Sequence, residues 1–137
     1  MFINLALLCP KREPTLACTP DGKVIDPGCT EPFGLLEVKC PETKLLVMPL
    51  DACSDSNFCC ENVDGQCKLK ITHPYYAQVQ GQMGITGAKW CDFVVYTKKG
   101  MSIERISFDP QYWHELEGKL LLYYYEHFIN FAVVEAL

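Results

Sequence analysis

The sequence predicts an α/β domain, with a mixed central sheet flanked by helices. Three observations predict it. Gly34-Leu35-Leu36-Glu37-Val38-Lys39-Cys40-Pro41 is a short apolar run with a Pro to end it, a strand pattern. Residues 90–97 are mostly apolar, β-branched or aromatic, and Lys98-Lys99-Gly100 turns them into an alternating segment over 101–108, a hairpin with at least one wet face. Two helix starts carry Pro in the first turn, at Pro74 and Pro110.

The bulk properties set bounds. A chain of 137 residues is long enough for one domain with one real core. A hydrophobic content of 49% argues against disorder. No apolar run approaches the length that crosses a membrane as a helix, so no membrane partner is expected. The net charge is −5, awkward for a partner rich in phosphate. The acid is uneven, however: from Asp109 onward there are five acids and one lysine. A basic track of Lys68, Lys70, Lys89, Lys98, Lys99 and Arg105 competes with a plain solvated face. Nine cysteines, an odd count with Cys18, Cys40 and Cys91 inside apolar patterns, point to reduced thiols. That favours an intracellular compartment, nuclear or cytoplasmic.

Taken in order, residues 1–15 form an N-terminal segment. Residues 1–9 are apolar and stop at Pro10; they lack the basic leader of a signal peptide and read as a helix or strand on the core, or the start of a truncated chain. Thr15 to Ile25 reads as a β-hairpin turning at Pro20-Asp21-Gly22, and residues 26–32 as a loop. In the Gly34 strand, Glu37 and Lys39 are two apart and share a face, with Leu36 and Val38 on the other. Charge inside such a strand is expensive unless it does something. Residues 44–48 are too short to classify. Cys53, Cys59, Cys60 and Cys67 make the most cysteine-dense stretch. A zinc knuckle is one reading, but the spacing is not the paired Cys-x₂-Cys of structural zinc, and adjacent Cys59 and Cys60 do not readily share one ion.

Thr72-His73-Pro74 opens a helix that Gly87 ends. Gly81 and Gly84 within it imply close approach to the sheet, and Gln78 and Gln82 share a face. Asp109 caps the last helix, in which Trp113, Leu116, Leu120, Tyr124, His127, Phe131 and Val134 form a core stripe. On that stripe His127 reads as a buried core histidine, and His114 as exposed.

Pro20-Asp21 followed by Glu37-Val38-Lys39 resembles the Pro-Asp…(Asp/Glu)-x-Lys signature of the restriction-endonuclease-like nucleases. Glu37-Val38-Lys39-Cys40-Pro41 with Ala77-Gln78-Val79-Gln80-Gly81-Gln82 resembles, more narrowly, the phage lambda exonuclease or YqaJ-type viral recombinase branch, over residues 16–137. His73-Pro74-Tyr75-Tyr76 and the block from Trp90 to Thr97 look like its animal members. The resemblance implies a metal-dependent exonuclease acting on double-stranded DNA ends, a ring-like homo-oligomer in some relatives, and a single-strand annealing protein as partner. It implies catalytic roles for Asp21, Glu37, Lys39 and Gln78, and a metal site of Asp21, Glu37 and the Val38 carbonyl. Hard oxygen donors suit Mg²⁺ or Mn²⁺ rather than zinc. It also implies a short helical or loop insert before a hairpin at Asp64-Gly65, with 66–71 as the outgoing strand. The family's further upstream acid has no match here, since Glu13 sits between prolines.

Two other readings compete. One is a degenerate member that binds DNA or protein without cutting, which the unmatched acid and the net charge favour. The other is a cysteine-rich zinc-binding interaction domain.

Overall fold

The computed structural model describes residues 15–135. The expectations for residues 1–9 and for Glu13 lie outside the described residues. A four-stranded sheet runs in the order β1 (Gly22–Ile25), β2 (Phe33–Lys39), β5 (Trp90–Thr97), β6 (Gly100–Ser107). The β2–β5 pair is parallel and the other two pairs are antiparallel, so the sheet is mixed, as the sequence predicts. Between β2 and β5 come a 3₁₀ turn at Glu42–Lys44, the short helix α1 (Pro49–Ala52), a hairpin of β3 (Cys60–Val63) and β4 (Gln66–Leu69), and helix α2 (Pro74–Thr86). That crossover is what a parallel pair requires. After β6 come α3 (Pro110–Tyr123), a wide π turn at Tyr124–Phe128, and α4 (Ile129–Glu135).

Alternation decides the faces. Leu35 and Glu37 on β2, and Cys91, Phe93, Val95 and Thr97 on β5, are buried on the face that α2 covers. Val79 and Met83 of α2 close the core there, and Ala52, Phe58, Cys60 and Leu69 extend it beneath α1 and the hairpin. On the other face Leu36, Val38 and Val94 are half-buried, and Tyr96, Met101 and Ile103 are exposed.

Local signals in the sequence act as expected at most element ends. His73 caps α2 through Nδ1, which accepts from Tyr75 N at 3.2 Å, with Pro74 in the first turn. Gly87 ends the helix in the left-handed region, φ 79°. Asp109 Oδ1 accepts from both Gln111 N and Tyr112 N at 3.0 Å and starts α3. Asp64 and Gly65 turn the β3–β4 hairpin with φ of 51° and 79°, the two positive angles a tight hairpin wants. β4 stops at Leu69 rather than Ile71.

Three expectations are corrected. First, Asp21-Gly22 is not the turn of a 15–25 hairpin. β1 pairs with β2, through the loop at 26–32, and Asp21 is a bend just before β1. The loop is closed by Asp26 N donating to Pro32 O at 2.8 Å, and it is pinned by Trp90 Nε1 donating to Glu31 O at 2.7 Å. Second, the glycines of α2 meet a helix and not the sheet. A Cβ on Gly84 would lie 2.2 Å from Trp113 Cδ2, so the indole of α3 rests directly on the α2 backbone. Third, the stripe of the last helix is not core. Trp113 and Leu116 are half-buried against α2, but Phe131 and Val134 are 65% and 71% exposed, and His127 is exposed with His114. Helical periodicity marks an apolar face; it does not say what covers it. In the described residues α3 packs on α2, and its continuation runs past that contact.

Candidate active site

The site lies where the end of β2 passes under the first turns of α2. Glu37 is 3% exposed. A carboxylate buried this deeply must be paired and hydrogen-bonded. It is. Lys39 Nζ donates to Glu37 Oε1 at 2.6 Å, Gln78 Nε2 donates to the same oxygen at 2.7 Å, and Gln82 Nε2 donates to Oε2 at 2.8 Å. Gln78 Oε1 in turn accepts from Lys39 Nζ at 3.0 Å, closing a ring of three side chains. Gln78 and Gln82 are one turn apart, so both amides reach down the same side of α2. Lys39 is fixed from above as well, its ammonium 4.4 Å from the centre of the Tyr75 ring.

Asp21 joins from the bend just before the neighbouring strand β1. Its Oδ2 accepts from Val38 N at 2.7 Å, which places an exposed carboxylate beside the residue after Glu37. β1 begins at Gly22, paired with Leu36, so Asp21 sits where the β1–β2 ladder runs out. The structure therefore gathers Asp21, Glu37, Val38, Lys39 and Gln78 in one place. Among the described residues, no group of three or more His, Cys, Asp or Glu side chains is arranged to hold a metal ion.

A model of the YqaJ-like viral recombinase domain matches residues 3–89. The chain belongs to this family. The YqaJ-like chain also superposes on two crystal structures of LHK-Exo, an alkaline exonuclease from Laribacter hongkongensis. The structure of LHK-Exo with dAMP gives a TM-score of 0.70 at 24% identity, covering 99% of this chain and 61% of that one. The other gives 0.68 at 22%, with the same coverage. The shared fold is thus plain, and the YqaJ-like chain spans 61% of the length of those exonuclease chains. No curated protein sequence matches it. Among the described residues, no helix is long and apolar enough to cross a membrane.

Some residues around the YqaJ-like site carried no role of their own in the sequence reading. Tyr75 over Lys39 is visible only in three dimensions. Gln80 is fully buried and splices α2 to the last helix: its Nε2 donates to Ser107 O at 3.0 Å and its Oε1 accepts from Asp109 N at 2.9 Å. Glu104 points inward, where Oε2 accepts from Leu69 N at 2.7 Å and anchors the β3–β4 hairpin to β6.

Half of the basic track is engaged by other groups of the fold. Lys70 Nζ donates to Ser56 O and Phe58 O, both at 2.7 Å, and Lys68 lies 3.6 Å from Glu104. Arg105 forks onto Asp92 at 2.8 and 2.9 Å, reaches Asp26 at 2.6 Å, and stacks 3.7 Å from the Trp90 ring centre. Its guanidinium holds the Asp26 carboxyl below the usual carboxylate range. Lys98 and Lys99, in the β5–β6 turn, have no acidic partner among the described residues.

Proposed function

We propose that this YqaJ-like chain is a metal-dependent DNA exonuclease that hydrolyses phosphodiester bonds at double-stranded DNA ends. One observation carries the reading: a buried glutamate is held by a lysine two residues along the same strand and by two glutamines of one helix, with an exposed aspartate beside them. No packing need explains so many polar side chains around one buried carboxylate. The kinship with the YqaJ-like family and the fold of an alkaline exonuclease support it.

Donor chemistry fits a hard divalent cation. Mg²⁺ is commonly held by one or two carboxylates, with water and substrate phosphate completing its shell. Asp21 is exposed, and among the described residues its Oδ2 alone is engaged, while Glu37 Oε2 accepts one hydrogen bond. Asp21, Glu37 and the Val38 carbonyl would hold Mg²⁺ or Mn²⁺. Such an ion supplies Lewis acidity toward the scissile phosphate and a more acidic water.

The protein's own groups do the rest. Lys39 orients the attacking water and offsets negative charge that grows on the phosphate. Gln78 bridges Glu37 and Lys39, so it fixes their separation as substrate arrives. Gln82 holds the far oxygen of Glu37, keeping the carboxylate plane constant. Assembly into a ring around the duplex and handover to a single-strand annealing protein belong to the same reading.

The test is degradation of end-labelled linear duplex DNA with Mg²⁺ or Mn²⁺, beside an EDTA control and Lys39→Ala. Loss of duplex that needs both the metal and Lys39 is the expected result. A folded protein that binds duplex DNA but leaves it intact, unchanged by Mg²⁺ and by Glu37→Ala, would instead establish a binding domain. The net charge of −5 and the unmatched upstream acid favour that second reading.

A further inference from the structure

Four thiols meet between α1 and the β3–β4 hairpin, away from the Glu37 site. Cys53 follows the last turn of α1, Cys59 and Cys60 lead into β3, and Cys67 lies on β4. Cys53 Sγ donates to Cys67 Sγ at 3.5 Å and to Pro49 O at 3.3 Å. The Cys59 and Cys60 sulfurs are 3.7 Å apart.

The two close pairs are not equivalent. A disulfide needs an S–S distance of about 2.05 Å. Cys53 and Cys67 come from separate elements with sulfurs 3.5 Å apart, so no ring through a single peptide bond constrains their joining. Cys59 and Cys60 are consecutive, and joining them would close a small ring around a peptide bond that resists departure from planar trans. Cys59 lines a cleft of about 180 Å³ beside Lys44 and His73, and Cys67 lines a larger one of about 360 Å³ with Met48, Pro49, Gln66, Met101 and Ser102.

We propose that Cys53 and Cys67 form an oxidant-reactive thiol pair, which hydrogen peroxide entering this cleft converts into a disulfide joining α1 to β4. Cys67 is the attacking sulfur. A hydrogen bond from Cys60, helped by Ser102 and Cys53, lowers the pKa of its thiol in spite of burial. Burial first, and then the bond to Cys67, raise the pKa of Cys53. The Cys67 thiolate attacks one peroxide oxygen, the O–O bond breaks, and the departing hydroxide takes a proton to leave as water. Cys67 is then a sulfenic acid. The Cys53 sulfur attacks it, the S–O bond breaks, and the released hydroxyl leaves as water with the Cys53 proton. Two thiols are oxidised by two electrons in all, and one peroxide is reduced to two waters.

The full chain is treated with a small excess of hydrogen peroxide, its remaining thiols are alkylated, and the unreduced digest is mapped by mass spectrometry. The expected product is a Cys53–Cys67 linked peptide, two hydrogens lighter than its parts and released by reductant. It should form at least tenfold faster in the folded chain than in urea. Cys67→Ser should remove the link, and Cys53→Ser should leave Cys67 as a sulfenic or sulfinic acid. The wild-type map decides the matter even if a variant does not fold. Alkylated Cys53 and Cys67 after peroxide, a different linked pair, or equal rates in urea would overturn the proposal.

Discussion

Lys39 Nζ lies 2.6 Å from Glu37 Oε1, two residues further along the same strand and on the same face. The pair is shielded, with side chains 18% and 3% exposed. Glu37 keeps two other donors, Gln78 and Gln82, when Lys39 is removed. Those donors soften the loss of the counter-charge, so Lys39→Ala is expected to cost about 2–4 kcal/mol of stability. The same change should lower duplex degradation by about 10²–10³, the usual loss when a charge-stabilising donor is deleted. Chemical denaturation and the end-labelled duplex assay, run on one preparation, read both effects. Full activity in Lys39→Ala would remove the lysine from the mechanism.

The two glutamines should separate in the opposite sense. Gln78 is exposed and shares Glu37 Oε1 with Lys39, whereas Gln82 is 3% exposed and is the side-chain donor on Oε2. Gln82→Leu should cost about 1–3 kcal/mol, because a buried carboxylate oxygen loses its partner. Gln78→Ala should leave the urea midpoint nearly unchanged while lowering the degradation rate. If both variants lost stability equally, Gln78 would be a packing residue and not a group facing substrate.

How much of this was legible can be argued from single positions. Glu37 and Lys39 could be placed on one face from period two alone, because the strand is short and Pro41 ends it. His73, Gly87, Asp109 and Gly65 announced element ends because capping and positive-φ chemistry are local. Asp21-Gly22 misled for the same reason: an Asp-Gly pair is the local turn signal, but pairing of β1 with the apolar Phe33–Lys39 strand outweighed it. α2 has no simple apolar stripe, because three of its sides face different partners. Val79 and Met83 meet the core, Gln78 and Gln82 meet Glu37, and Gly81 and Gly84 meet α3. Periodicity on one strand of sequence cannot announce the last of these. The reach of Arg105 to Asp26, 79 positions away, and of Glu104 to Leu69 depends on the sheet order, which the sequence left open.

His73 predicts a pH dependence of stability. Burial, aided by nearby Lys70, lowers its pKa from the ordinary 6.5. Its Nδ1 must also stay unprotonated to accept from Tyr75 N. In the window between the lowered value and 6.5 the unfolded chain binds more protons than the folded one, so stability rises with pH there. The contribution is complete above 6.5 and is lost as pH falls through the folded-state value. His73→Asn retains a capping acceptor that does not titrate in this range. The difference in urea midpoint between wild type and His73→Asn should therefore shift in favour of the variant on going from pH 7.5 to pH 5. A constant difference across that range would show that His73 titrates alike in both states.

Arg105 should not tolerate lysine. Its Nε and Nη2 fork onto both oxygens of Asp92, Nη1 reaches Asp26, and the plane lies over Trp90. Lysine offers one compact charge in place of that planar fork. Arg105→Lys is expected to lower the melting temperature and to free the 26–32 loop, read as faster amide exchange at Asp26, whose N–H bonds to Pro32 O. Unchanged exchange there would mean that Trp90 holds the loop alone.

Gly81 and Gly84 give a paired prediction with opposite signs. Both lie in the interior of α2, where glycine costs about 1 kcal/mol relative to alanine, and neither needs a positive φ. At Gly84 a Cβ would fall 2.2 Å from Trp113 Cδ2 and 2.4 Å from Cε2, so the indole or the whole of α3 must move. Gly84→Ala should therefore destabilise by about 1–3 kcal/mol, the range for overpacking. At Gly81 the nearest atoms are Leu116 Cδ2 at 3.7 Å and Trp113 Cζ3 at 3.8 Å, ordinary van der Waals contacts. Gly81→Ala should stabilise by about 0.5–1 kcal/mol, through the better helix former and the smaller entropy of the unfolded chain. Urea midpoints measure both. Trp113 adds a local reporter, since its fluorescence should shift in Gly84→Ala and stay constant in Gly81→Ala. If Gly84→Ala stabilised the fold as Gly81→Ala should, the indole would not be resting on the α2 backbone, and the packing of α3 described above would be wrong.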